Sequence, residues 1–278
     1  MRNINSTDII SAVSKLCVKT NYELQSDIVR ALKAVRQKEK GLAKYVLETI
    51  LENIKIARKE QIPICQDTGM VVVFVEIGQD LHVRGNLIRA INEGVRRGYK
   101  KGYLRNSVVS EPFGRRINTG DNTPAVIYTE IVPGNRLKIL VLPKGFGSEN
   151  ASALKMFNPC DGMEKIENSI LETVRKYGPN ACPPLIIGIG IGGTFEKCAK
   201  LAKEALIRRI GRLKNLKISR LEKRLLDKIN SLGIGPGGLG GKTTALAVNI
   251  KTFPTHIAGL PVAINISCWA LRQAQAIL

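Results

Sequence analysis

Apolar side chains recur at helical spacing along the N-terminal part of the chain. Between Ser6 and Val18 the residues Ile9, Ile10, Val13, Leu16 and Cys17 share a face, and Leu24, Ile28, Leu32 and Val35 repeat the pattern in the next segment. A third amphipathic helix is predicted from about Leu42 to Ala57, with Val46, Ile50 and Ile54 on its stripe. Cys17 then reads as a small core residue. At Pro63 to Gly69 the texture changes to a breaker-rich loop, which leads into the apolar run MVVVFVEI, a buried strand. Basic helical sequence follows to about Tyr103. The runs AVIYTEIV and RLKILVLP, separated by Pro133-Gly134-Asn135, predict a β-hairpin. Beyond them come a helix near Glu164 to Tyr177, the strand PLIIGIGI, a helix from Phe195 to about Arg209 and a basic helix from Ile218 to Asn230. A glycine-rich loop and the strands TALAVNI and LPVAINI close the pattern. With no repeat and no linker, residues 1–278 are expected to form a single α+β domain, a helical N-terminal layer followed by mixed strands and helices.

Composition narrows the class. Of 278 residues, 44% are hydrophobic and 24% charged, the profile of a folded globular protein rather than a disordered one. No stretch approaches the roughly 18 apolar residues of a membrane helix, and the N-terminus lacks the pattern of a cleaved signal, so the cytoplasm is the expected address. The net charge of +20 raises nucleic acid as a partner. Its distribution argues otherwise: the dense tracts Lys33 to Lys40, Arg96 to Lys101 and Arg208 to Arg224 are mostly spaced like solvated helix faces with acids interspersed. Aromatic residues, at 5%, offer few stacking platforms. An acidic partner chain or an anionic substrate would use the same field.

Two glycine motifs suggest nucleotides. Gly188-Ile-Gly190-Ile-Gly192-Gly193 holds GxGxxG between a strand and a helix, but the acidic residue due about 20 positions later is replaced by basic sequence. GIGPGGLGGKTT resembles a phosphate-binding loop until counted, because Pro236 occupies the place of the first required glycine. Close backbone packing is the favoured reading of the first, with an anion at that helix N-terminus as its alternative, and the second set of glycines would let backbone approach a ligand or cluster.

The six cysteines, at 17, 65, 160, 182, 198 and 268, form no CxxC pair. Cys65 sits in Pro-Ile-Cys-Gln-Asp-Thr-Gly, Cys182 in Asn-Ala-Cys-Pro-Pro and Cys268 in Asn-Ile-Ser-Cys-Trp, each at a loop-to-strand or strand-end boundary. Three thiolates so placed would suit an iron-sulfur cluster. Spacing alone favours three separate buried cysteines.

The surrounding blocks point further. PICQDTGMVVV, RNSV with NTGDNTPA, LPKGFGSENAS, ACPPLIIGIGIGGT, GIGPGGLGGKTTA, FPTHIAGLPVAI and NISCWALR, in this order, resemble the signature blocks of the class I fumarase and tartrate dehydratase family. The chain is similar to the separate alpha subunit of the split enzymes, from about residue 5 to its end.

That resemblance implies one oxygen-sensitive 4Fe-4S cluster per chain, held by Cys65, Cys182 and Cys268, with the α+β fold built around it. One iron would lack a protein ligand and act as a Lewis acid on the substrate. Cys17, Cys160 and Cys198 are not ligands by the same match. Asp67 matches the family's candidate acid; read without the resemblance, it is an Asx-turn residue. Gln66, Arg105 and His256 match substrate-binding positions, Arg105 by a guanidinium fork suited to a carboxylate. Gly145 and Gly147 match a glycine turn against the substrate, from which Phe146 departs. The implied activity is fumarate hydratase, interconverting fumarate and malate in the tricarboxylic acid cycle, with tartrate dehydratase as the nearest alternative. A separate beta subunit, which in fused relatives corresponds to a second domain carrying the candidate base, would complete a heterotetramer or other hetero-oligomer. A basic nucleic-acid-binding protein with a structural cluster is the rival from another class.

Overall fold

The computed structural model of the protein describes residues 2–211 and 215–278, so Arg212 and Lys214 of the third basic tract lie outside the described residues. In chain order the elements are β1 (Arg2–Asn5), α1 (Ser6–Tyr22), α2 (Ser26–Arg36), α3 (Gly41–Glu60), β2 (Met70–Gly78), β3 (Leu81–Arg84), α4 (Leu87–Lys101), β4 (Val126–Val132), β5 (Leu137–Lys144), α5 (Phe146–Glu149), β6 (Ala153–Phe157), α6 (Gly162–Tyr177), β7 (Leu185–Ile191), α7 (Phe195–Leu206), α8 (Leu216–Asn230), β8 (Ala245–Thr252), β9 (Leu260–Ser267) and β10 (Ala274–Ile277). Helices and mixed sheets together make this the expected α+β class. The chain forms two compact units, one of Met1–Leu24, Asn53–Phe146 and Arg272–Leu278, the other of Gln25–Glu52 and Gly147–Leu271. Both draw on separated stretches of chain, which is why the sequence offers no linker.

In the first unit a four-stranded sheet runs in the order β10-β5-β2-β4, and β1 pairs with β3 apart from it. Val71, Val73 and Val75 of β2 alternate onto the same face as Leu137, Ile139 and Val141 of β5, where they meet Ile9, Val13 and Leu16 of α1 and Ile91 and Val95 of α4. Helix α4 begins at Asn86, whose side chain accepts from Arg89 N at 2.9 Å.

The sequence-predicted hairpin is not formed. β2 lies between its two strands, parallel to β4 and antiparallel to β5. The apolar run of β2 is the better centre for a sheet, since it can be buried on both faces, whereas β4 is half exposed and takes the edge. The Pro133–Arg136 connection therefore crosses the end of β2, where Gly78 N donates to Arg136 O at 2.9 Å. A Cβ on Gly78 would stand 2.4 Å from Gly134 O, so the crossing requires glycine.

The second unit holds a sheet ordered β6-β9-β7-β8, with β7 parallel to β8 and antiparallel to β9. On one face Leu185, Ile187 and Ile189 of β7 pack with Ile166, Ile170 and Val174 of α6 and Leu225 and Ile229 of α8. The alternate residues, Gly188 and Gly190, lie directly under α7: added Cβ atoms would meet Ala202 O at 2.1 Å and Cys198 O at 2.2 Å. The dinucleotide-like glycines thus serve close helix-on-strand packing.

Several basic residues in the tracts are paired with acids. Arg36 meets Glu48 at 3.5 Å, Arg97 meets Glu93 at 2.5 Å, and Arg208 meets Glu222 at 2.6 Å. Glu167, itself buried, receives both Arg224 and Lys228. Burial pulls the Glu167 carboxyl up, but the two cations hold it below the ordinary carboxylate range. No helix among the described residues is long and apolar enough to cross a membrane.

Candidate active site

The loop Ile64–Gly69, which contains Cys65, Gln66 and Asp67, leads into the central strand of the first unit. Side chains and one backbone carbonyl hold its backbone at Ile64, Asp67, Thr68 and Gly69. Ile64 N donates to Asn21 O at 2.8 Å, and Ile64 O accepts from Asn53 Nδ2 at 2.9 Å. Asp67 O accepts from Arg272 Nη2 at 2.8 Å. The Tyr99 hydroxyl lies 2.7 Å from Thr68 O and 3.0 Å from Gly69 O, and Asn122 Nδ2 donates to Gly69 O at 3.1 Å. Burial pushes the Tyr99 phenol up, which keeps its proton in place as a donor. A loop tied down in this way presents its side chains in fixed directions.

Asp67 is the best-defined of them. Its Oδ1 accepts from Gly69 N at 3.0 Å, closing an Asx-turn, and its Oδ2 accepts from Phe146 N at 2.8 Å. The second bond ties the loop to the Gly145 turn after β5, where a Cβ on Gly145 would press on Oδ2 from 3.1 Å. Gln66 is exposed beside it. The carbonyl of Arg105 accepts from the Thr68 hydroxyl at 2.8 Å, which brings Arg105, with its exposed side chain, to the same loop. Cys65, Gln66, Asp67, Arg105 and Gly145 are therefore neighbours in one unit.

In the second unit the ladder sets Ile186 opposite Ser267. Cys182, just before β7, and Cys268, just after β9, consequently leave the sheet at the same end. Cys182 is exposed and adopts the left-handed backbone (φ 53°, ψ 66°), a conformation uncommon for a residue with a side chain. The residue after it is anchored by the glycine-rich loop, since Gly237 N donates to Pro183 O at 2.8 Å. Other amides of that loop are used within the unit: Gly240 N donates to Ile234 O at 2.8 Å and Lys242 N to Glu39 Oε1 at 2.9 Å. Its glycines support the segment carrying Cys182 instead of cradling a phosphate.

His256 lies elsewhere in this unit. It stands in the loop between β8 and β9, and Ile191 pairs with Thr252 and Val262 at that end. The eight residues of β9 separate it from Cys268, roughly 25 Å at about 3.3 Å per residue. Its Nδ1 accepts from Ala258 N at 3.2 Å. Gly147 is exposed, with nothing within 4 Å of an added Cβ.

The donor chemistry of the cysteines sorts them. Cys17 and Cys198 are buried in helix packing, and burial pushes their thiols up to about 12 and about 11, far from the thiolate a metal needs. Cys65 and Cys268 are half-buried, and Cys182 and Cys160 are exposed. Among the described residues no three His, Cys, Asp or Glu side chains are grouped to hold a metal ion. The fit of Cys65, Cys182 and Cys268 to a cluster thus rests on their soft, accessible sulfurs, and Cys160 is set apart from them only by the motif match.

Sequence reasoning missed the anchors of the Cys65 loop: Asn21, Asn53, Tyr99, Asn122 and Arg272. Asn122 and Arg272 fall inside the matched blocks, but no local signal marks either as buried.

A model of the family described as fumarate hydratase (Fumerase) matches residues 10–277. The chain is 46% identical over 274 residues to a putative L(+)-tartrate dehydratase subunit alpha of Methanocaldococcus jannaschii, covering 96% of each chain. It is 32% identical over 267 residues to the L(+)-tartrate dehydratase subunit alpha of Escherichia coli strain K12, covering 94% of this chain and 88% of that one. The similarity to the same subunit of Shigella sonnei has the same extent.

Proposed function

The chain belongs to the fumarate hydratase (Fumerase) family, and from that membership we propose that it is the alpha subunit of a two-chain hydro-lyase acting on a small dicarboxylate. The observation that carries this reading is the family match over residues 10–277, joined to a rigidly held Cys-Gln-Asp loop. Residues 1–278 would act as a single domain of the family. A separate beta subunit is supported by relatives that are themselves named as subunit alpha and match this chain over nearly its whole length.

Cys65, Cys182 and Cys268 would hold a 4Fe-4S cluster, which when bound supplies a Lewis acid toward the substrate oxygen that leaves or enters. Asp67 would hold and deliver the proton. Each of its carboxylate oxygens accepts one backbone N–H, which leaves a lone pair on each for a proton or a substrate hydroxyl. The same two bonds orient the carboxylate before substrate arrives, a precondition of efficient proton transfer. Gln66 would donate its amide to a substrate carboxylate, and Arg105 would grip one through two parallel N–H bonds. Gly145 and Gly147 would line the turn against the substrate. His256 is assigned to substrate binding by resemblance alone. The base that opposes Asp67 would come from the beta subunit.

We take fumarate and malate as the substrate pair. The names of the relatives favour a second reading, tartrate to oxaloacetate. These substrates differ in hydroxylation, which a few polar contacts can distinguish. Anaerobic reconstitution with iron, sulfide and the beta chain, followed by parallel assays with malate, fumarate and tartrate, tests the proposal. Turnover of malate and fumarate supports the first substrate, turnover of tartrate alone the second, and no turnover of any of them by the loaded complex overturns the hydro-lyase reading.

A further inference from the structure

Arg272 is among the largest fully buried side chains of the described residues, with 2% of its surface exposed. A buried guanidinium is ordinarily matched by a carboxylate or by acceptors for all its donors, because removal from water is otherwise unfavourable. Arg272 has neither. Its Nη1 donates to Asn21 Oδ1 at 3.0 Å and its Nη2 to Asp67 O at 2.8 Å, both neutral acceptors. Its Nε is buried with no acceptor among the described residues. The Asp67 carboxylate, which receives Gly69 N and Phe146 N, forms no ion pair with Arg272 among the described residues.

The arrangement around this cation is built to aim it. Asn21 is fully buried, and its Nδ2 donates to Cys17 O at 3.0 Å, which turns its oxygen toward Arg272. The backbone carbonyl of Asn21 accepts from Ile64 N, the residue before Cys65. Asn21 and Arg272 thus hold the loop at Ile64 N and at Asp67 O, before and after Cys65 in the chain, and a buried positive charge without a carboxylate partner is bonded to the loop.

We infer that Arg272 is a positioning residue whose charge compensates an anionic metal-sulfur centre seated on this loop, while its Nη2 fixes the carbonyl of Asp67. The inference rests on the cluster ligation proposed above. It assigns to Arg272 two separable effects, one on the electrostatics of the centre and one on the placement of the acid.

The test compares wild type with Arg272→Lys, Arg272→Gln and Asn21→Asp, each reconstituted anaerobically with iron and sulfide in the complex with the beta chain. Asn21→Asp places a carboxylate against Arg272 while giving up the bond from Asn21 Nδ2 to Cys17 O, and it offers a second variant that keeps the arginine where Arg272→Gln does not fold. The reduction potential should move to more negative values in Arg272→Gln and in Asn21→Asp and stay near wild type in Arg272→Lys. Turnover should fall in Arg272→Lys and Arg272→Gln, which disturb the hold on Asp67. A purely structural arginine predicts an unchanged potential in Asn21→Asp, a result that would overturn the inference. A wild-type chain that takes up no cluster would overturn the ligand assignment and this inference together, whereas equal potentials in loaded wild type, Arg272→Gln and Asn21→Asp would overturn this inference alone.

Discussion

Replacing Tyr99 by Phe removes one oxygen atom from beneath the Cys65 loop and leaves the ring, which is 1% exposed, in its packing. The lost hydroxyl serves Thr68 O and Gly69 O. Gly69 O keeps its bond from Asn122, whereas Thr68 O is left buried without that donor. Abandoning a buried acceptor costs about 1–3 kcal/mol, and for a chain of this size each kcal/mol lowers the melting temperature by about 2–4 °C. Thermal unfolding of Tyr99→Phe should therefore occur roughly 2–12 °C below wild type. Asn122→Ala should be destabilising as well, and the double variant should deviate from additivity by about 0.5 kcal/mol or more, because both side chains serve the same carbonyl. Because the loop also carries Asp67, turnover of the reconstituted complex should fall by about tenfold for each 1.4 kcal/mol of lost alignment. Unchanged melting and unchanged turnover in Tyr99→Phe would refute the idea that buried side chains fix this loop.

Gly190→Ala places a Cβ 2.2 Å from Cys198 O, a backbone atom that cannot step aside; it should destabilise the second unit by about 1–3 kcal/mol or more, read by denaturant unfolding, and normal stability would show that α7 does not pack as described. Glu167 has a folded carboxyl pKa below its unfolded value, so its stabilisation is present above the unfolded pKa and is lost as pH falls through the folded one. Melting temperature measured from neutral pH downward should accordingly drop less steeply in Glu167→Gln than in wild type, and parallel curves would contradict that linkage. Ser at Cys65, Cys182 or Cys268 should abolish the visible absorption of the reconstituted cluster, whereas Ser at Cys17, Cys160 or Cys198 should spare it; full absorption in Cys182→Ser would remove that residue from the ligand set.

Much of this structure was legible because its signals are local. MVVVFVEI and PLIIGIGI are short runs rich in β-branched residues next to turn-forming residues, the marks of buried strands, and both occupy the interiors of their sheets. Partner choice is not local: AVIYTEIV and RLKILVLP have the marks of a hairpin, and only competition from the more apolar β2 separates them. The short strands β1, β3, β6 and β10 carry too few residues for a pattern. At the site, Asp67 illustrates both sides, since the Asx-turn seen in its sequence context is formed and the bond from Phe146 N was invisible until the chain folded. Arg272 is one of 43 basic residues, and nothing adjacent to it announces burial. Tyr99 was hidden in a basic helix whose inner face faces the core.

The central claim, that this chain is the alpha half of a split hydro-lyase, is tested most directly by one comparison. The purified chain, loaded with its cluster under anaerobic conditions and shown by mass spectrometry to be free of any second polypeptide, is assayed for dicarboxylate hydration before and after addition of the beta chain. The account predicts little or no turnover before addition and robust turnover after it. Full activity of the loaded chain alone would contradict it.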